Sequence, residues 1–245
     1  INSSVRDPIY PERSLLVLRQ ARVTSALVPC FREGSTPLLV SQAIKVVAMF
    51  IGSKIVPVSK LNRLGKILTG SLEDLQGPET DDGFHELKVN EVAIVSEAGQ
   101  QRVKLSILNS WAELKILAVK YHTDDEQDNE LNGLVEEHLD LLLPLWISTL
   151  KEYAVMKHGT GGDGVNLFND CWINFVDVIG LITQESPEVI TGILQGNVGG
   201  FYYMMYSHCV FSLLGSNSHG VDKLSILEGL LKILSSKDLS QIVFH

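Results

Sequence analysis

Apolar residues recur along this chain in steps of three and four, and each run of steps keeps returning to one side of a helix. Val40, Ile44, Val47 and Ile51 form one stripe, and Leu61, Leu64, Leu68, Leu72 and Leu75 form the next. Ile107, Trp111, Leu114, Ala118 and Tyr121 follow, then Leu139, Leu142, Trp146, Leu150 and Tyr153. Phe168, Trp172, Phe175, Ile179 and Ile182 make a further stripe, and Leu224, Leu227, Leu231 and Leu234 close the series. Such spacing predicts amphipathic helices, each with an apolar side that a neighbour must cover. The stretch 45–58 is rich in β-branched residues, but a strand there would need a partner strand. No second candidate offers itself, so it too is expected to be helical.

The punctuation agrees with this pattern. Thr36-Pro37, Val56-Pro57 and Ser186-Pro187 place proline at or near a first helical turn, where its missing N–H costs nothing. Gly34, Gly52 and Gly215 sit near expected helix ends. Pro144 falls inside a helical stretch and predicts a kink or a break. Two acid-rich connectors are expected to be loops: residues 77–83, with Glu79, Asp81 and Asp82, and residues 123–130, with Asp124, Asp125, Glu126, Asp128 and Glu130. Segments of that composition bury too little surface to offset the entropy of ordering.

Amphipathic helices in succession, unmixed with strands, define an all-α expectation. The spacing of helical pairs is near the roughly 40–47 residues of HEAT and armadillo units. The fold expected is therefore an α-solenoid of HEAT-like antiparallel helix pairs, with a compact helical bundle as the alternative that periodicity leaves open. Residues 1–245 are expected to form one continuous helical-repeat segment of a longer chain, because the sequence opens on Ile1 without a Met and stops at His245 after an apolar run.

Charge and composition narrow the function classes. A net charge of −9 argues against a nucleic-acid binder and against a polybasic membrane patch. The longest apolar runs, such as residues 141–147, are far short of the roughly 20 residues that span a bilayer, and no signal peptide is evident at the start. Cys30, Cys171 and Cys209 are far apart in apolar surroundings, a pattern of buried thiols in a reducing compartment rather than of a disulfide framework.

The candidate chemistry is sparse. Residues 158–164 read HGTGGDG, and Gly159-x-Gly161-x-x-Gly164 matches the dinucleotide fingerprint. That fingerprint needs a strand before its first glycine. Here residues 139–153 have helical spacing, and the following segment with Pro187, Ile190 and Leu194 is helical where a second strand should be. Glu185, about 20 residues beyond the motif, adds little. The glycines are thus expected to be a connector over 159–164, with Gly159 ending one helix and Asp163 or Asn166 capping the next. His85-Glu86 begins a zinc-protease pattern, but Val89 stands where the second histidine belongs. His208-Cys209 has no second ligand pair elsewhere. No nucleophile elbow or phosphate loop occurs. Tyr202, Tyr203, Met204, Met205 and Tyr206 are expected to be core, with an adaptable contact surface as the other reading. No catalytic, cofactor or metal residue is assigned, and the partner-binding residues are not identified.

Two stretches carry a resemblance. LSILNSWAELKILAV contains Trp111-Ala112-Glu113, and LLLPLWISTLKEYAVM contains Leu145-Trp146 and Leu150-Lys151-Glu152-Tyr153-Ala154, with an acidic insert between them. They resemble the carboxy-terminal part of the large HEAT-repeat accessory proteins of the trans-Golgi clathrin adaptor, and weaker similarity extends over 40–75 and 171–182. The divergent flanks suggest a fungal-type member. The resemblance implies a long cytosolic, non-enzymatic scaffold without cofactors. It would be peripheral at the trans-Golgi network, endosomes and clathrin-coated vesicles, and would help localise the adaptor through protein partners, the adaptor complex and its accessory subunits among them. Self-association would be compatible with that role. A helical protein-binding scaffold of an unrelated pathway is the alternative, and a nucleotide-dependent enzyme using Gly159–Gly164 comes third.

Overall fold

The computed structural model describes residues 15–53, 59, 61–76, 87–120, 126–158, 165–169, 171–214 and 220–235. The chain forms two compact units, Ile1–Glu137 and His138–His245. In the first, α1 (Leu15–Leu27) runs into a 3-10 turn (Val28–Phe31) and is followed by α2 (Pro37–Gly52). Next come α3 (Asn62–Glu73), a 3-10 turn (Asp74–Gln76), the strands β1 (Leu87–Val89) and β2 (Val92–Ile94), α4 (Glu97–Lys120) and α5 (Glu126–Glu136). The second unit holds α6 (Leu139–His158), α7 (Val165–Phe168), α8 (Trp172–Glu185), α9 (Pro187–Leu194), α10 (Val198–Leu214) and α11 (Gly220–Leu234).

Local sequence starts these helices as expected. Thr36 is extended, its hydroxyl accepts the Leu39 N–H at 3.3 Å, and Pro37 takes the first helical position. Such a cap is typically worth about 1 kcal/mol. Gly34 precedes it at φ +85°, a conformation glycine adopts without a Cβ penalty. Pro187 likewise opens α9, whereas Pro57, the 77–83 loop, Gly215 and the 159–164 connector lie outside the described residues. The other acidic loop differs from expectation. Residues 126–130 begin α5, which Leu131 and Val135 anchor in the core, while Glu130 accepts hydrogen bonds from Ser59 N–H (3.3 Å) and Oγ–H (2.9 Å). Burial of two apolar side chains outweighs the polar composition that suggested a loop.

The core of the first unit joins the stripes of α2 (Val40, Ile44, Val47, Ile51), α3 (Leu64, Leu68, Leu72) and α4 (Ile107, Trp111, Leu114, Ala118), all buried. The closest partners are α2 and α4. Gly99 lies under Pro37, Ser106 Oγ donates to the Ser41 carbonyl at 2.7 Å, and Gly52 lies against Leu114 and Leu117. These contacts advance together along both helices, so α2 and α4 run in the same direction. The intervening chain carries it back to the starting end, as in stacked helical repeats. Lys115, buried on the same helix, pairs with Glu136 of α5 at 2.6 Å.

An antiparallel hairpin, with Leu87 opposite Ile94 and Val89 opposite Val92, was not expected. Val89, Val92 and Ile94 point into the core while Lys88 and Ala93 face outward. Asn90 turns the chain at φ +53°, where Asn is among the few side chains tolerated. Its N–H donates to Asp74 Oδ2 at 2.8 Å and its Nδ2 donates to Ser71 Oγ at 3.1 Å. The neighbouring Glu91 N–H donates to the Phe31 carbonyl at 3.4 Å.

In the second unit the α6 stripe of Leu142, Trp146, Leu150 and Tyr153 is buried as expected. Pro144 does not break α6. It lies early in the helix, so the carbonyl left without its partner is that of Asp140 in the first turn, and both residues are exposed to water. The stripe from Phe168 to Ile182, expected on one helix, spans two, α7 and α8, separated at Cys171, whose N–H donates to the Phe168 carbonyl at 3.0 Å.

The last stripe is overturned. Leu224, Leu227, Leu231 and Leu234 are 59%, 52%, 68% and 54% exposed, and the covered side of α11 is Ile226, Gly229, Leu230 and Ile233. That side meets α8 closely. A Cβ on Gly229 would lie 2.9 Å from Val176 Cγ1, and one on Gly180 would lie 3.1 Å from Lys232 Cβ. Lys232 pairs with Asp177, and Gln184 Nε2 donates to Ser235 Oγ at 2.7 Å. Here too the contacts advance together, so α8 and α11 are parallel.

Candidate functional site

Among the described residues, polar and titratable groups gather in an aromatic knot in the second unit. Tyr153 from α6 stacks on Phe168 from α7 with ring centroids 5.0 Å apart. His208 from α10 meets Tyr153 edge-on at 4.9 Å and Trp172 from α8 at 4.7 Å. Lys157 Nζ lies 5.4 Å from the ring centres of both Tyr153 and Trp172 and donates to Ser212 Oγ at 3.1 Å. A cation over aromatic faces is attracted by their quadrupoles, by about 0.5–2 kcal/mol according to burial.

Burial pushes the Cys209 thiol up to about 12, against an opposing pull from Lys157. Burial raises the Tyr153 phenol to about 12 as well, and it lowers the Lys157 ammonium. His208 packs against two aromatic rings and Cys209 lies in the apolar interior. Among the described residues no three His, Cys, Asp or Glu side chains are grouped to hold a metal ion. His85, Glu86 and the glycines 159–164 lie outside those residues.

The aromatic and methionine run of α10 divides by face. Tyr202 and Met205 are buried, and the Tyr202 hydroxyl shares a 3.0 Å hydrogen bond with Thr183 Oγ1 of α8. Tyr203 and Tyr206 face solvent, as do Phe211 and Leu214 farther along the helix. With the leucine stripe of α11 they leave the second unit with large exposed apolar faces of the kind that marks protein contact sites. In the first unit Leu38, Leu39, Val46 and Met49 give α2 an exposed apolar side. Sequence reasoning missed these faces. The signal available was that α10 and α11 are apolar on more than one side, more than a single neighbour can cover.

Parallel helix partners, with further helices carrying the chain back between them, define a class, the all-α proteins built of HEAT-type helix pairs. The Laa1/Sip1/HEATR5 HEAT repeat region matches residues 1–155, and the chain belongs to that family. The Trp111 stretch and all but the last residue of the Trp146 stretch, which carried the resemblance, fall inside the matched residues. Along 264 aligned positions the chain is 27% identical to the AP-1 accessory protein LAA1 of Saccharomyces cerevisiae, covering 99% of this chain and 13% of that protein. The chain thus spans about an eighth of that relative's length. No solved structure matches it. No helix among the described residues is long and apolar enough to cross a membrane.

Proposed function

We propose that these 245 residues form one continuous helical-repeat segment of a longer, non-enzymatic accessory protein of a clathrin adaptor. In this reading the protein works in vesicle transport between the trans-Golgi network and endosomes, helping to localise the adaptor complex there. The observation that carries the proposal is the near end-to-end similarity to the AP-1 accessory protein LAA1. The exposed apolar sides of α2, α10 and α11 support it, because a scaffold acts by offering surface and needs no reacting group. The protein would reach these membranes through its partners.

The test deletes residues 1–245 from the intact protein and images a tagged adaptor subunit. Dispersal of the adaptor from its puncta is expected. An adaptor that stays in place, with normal cargo sorting, would refute the role given to this segment. Contact is separated from collapse by Leu227→Glu with Leu231→Glu on the exposed side of α11. Exposed substitutions usually move stability by no more than about 0.5 kcal/mol. The pair should reproduce the dispersal, if that face is the contact, with the unfolding midpoint unchanged.

A further inference from the structure

The net charge of −9 conceals a reversal. Between Arg13 and Leu72 the sequence holds nine lysines and arginines and a single carboxylate, Glu33. Arg19, Arg22, Arg32, Arg63 and Lys66 are all exposed. Among the described residues none of the five forms an ion pair with a carboxylate, whereas Lys115 and Lys232 are both paired. Like charges crowded on a surface repel one another, so a stretch this short of carboxylates in an acidic protein carries an electrostatic cost that an anionic partner would relieve.

The cationic stretch also has a receptacle. A groove of about 450 Å³ runs between α1 and α3, with Gln20, Thr24 and Ser25 on one wall and Leu61, Arg63 and Leu64 on the other. Arg63 stands at this groove, and Lys66 lies one helical turn farther along α3. An amide, two hydroxyls and a guanidinium fork are the groups that read carboxylates and an extended main chain. A flat anionic membrane fits less well. The groove is recessed between helices, and between Arg19 and Leu27 of α1 and along α3 no large apolar side chain is exposed to enter a bilayer.

We propose that the α1–α3 groove docks an acidic peptide segment of a partner protein, with Arg63 pairing to a carboxylate and Thr24 and Ser25 hydrogen-bonding along the peptide. This goes beyond the adaptor reading and does not depend on it: affinity for a peptide and adaptor position in cells are measured separately, so either can fail alone.

The test is fluorescence anisotropy of the intact protein with a fluorescein-labelled peptide of mixed Asp and Glu. Arg63→Glu with Lys66→Glu should weaken binding by about tenfold or more, the scale of lost charge-assisted pairs. Arg102→Glu with Lys120→Glu, exposed cations on α4, should change it by less than about twofold. Ser25→Trp keeps every charge but fills the groove, and should abolish binding. An unchanged unfolding midpoint for each variant excludes misfolding. Binding that survives Ser25→Trp, or falls equally with the α4 pair, would show a general charge effect and overturn the groove. Binding to phosphatidylserine vesicles without peptide binding would replace the peptide by a membrane. Peptide affinity that appears only after deletion of residues 77–83 would make the chain's own acidic run the occupant, and would equally overturn a partner's.

Discussion

Cys209 shows how a residue's surroundings set its chemistry. Its thiol is raised from 9.0 to about 12 because the charged form would lie in the apolar interior. A group with a raised folded pKa favours folding fully only below its unfolded pKa, and that contribution is lost as pH rises through the folded value. Unfolding midpoints in urea should therefore hold up to about pH 9 and decline toward pH 12, with Tyr153 adding to the decline from about pH 10. Cys209→Val should flatten the first part of that fall. Thiol labelling at neutral pH should reach half-buried Cys30 first and leave Cys171 and Cys209 until the chain unfolds. Equal labelling of all three would contradict the packing. The apolar neighbours of Cys171 and Cys209 made their burial legible in the sequence, whereas Cys30, expected to be buried with them, is only half-covered. The groove of Arg63 was not legible, because a charge total averages opposing regions and no spacing rule brings α1 beside α3.

At the scale of elements, periodicity named the right side of α2, α3, α4 and α6 and the wrong side of α11. Both sides of α11 carry apolar residues, so period alone does not rank them. What decides is Gly229, facing Gly180 and Val176, where missing side chains let two backbones approach. Gly229→Val should force the pair apart and lower stability by about 1–3 kcal/mol, as overpacking does. Leu227→Gln on the open side should stay within about 0.5 kcal/mol. Comparable losses from both, measured as urea midpoints, would reverse the assignment of faces. The β1–β2 hairpin escaped notice because its strands are only three residues long, below the usual run of roughly 4–8 that alternation needs to register. Its turn is the sensitive point. Asn90→Ala should lose about 1–2 kcal/mol from the left-handed backbone alone, and Asn90→Gly should recover the conformational share but not the bond to Ser71.

For the molecule as a whole, the all-α class was legible because helical repetition runs along nearly the entire chain. The family was legible because Trp111 and Trp146 sit in patterned surroundings. The contact faces were not, since an exposed leucine and a buried one look alike in sequence. The scaffold role proposed above predicts that millimolar NAD or ATP leaves the thermal midpoint unmoved. A ligand at a thousand times its Kd would add about 4 kcal/mol. A clear upward shift, abolished by Gly161→Val, would restore the nucleotide site.

The parallel pairing of α8 and α11 also sets a timetable. Lys232 lies 55 residues beyond its partner Asp177. At about 5–20 residues per second on the ribosome, α8 waits roughly 3–11 seconds for the helix that will cover it. Throughout that interval Val176 and Gly180 face water or a chaperone. A nascent chain arrested just short of α11 should therefore be captured by holdases far more readily than one arrested after its α11 has emerged from the exit tunnel.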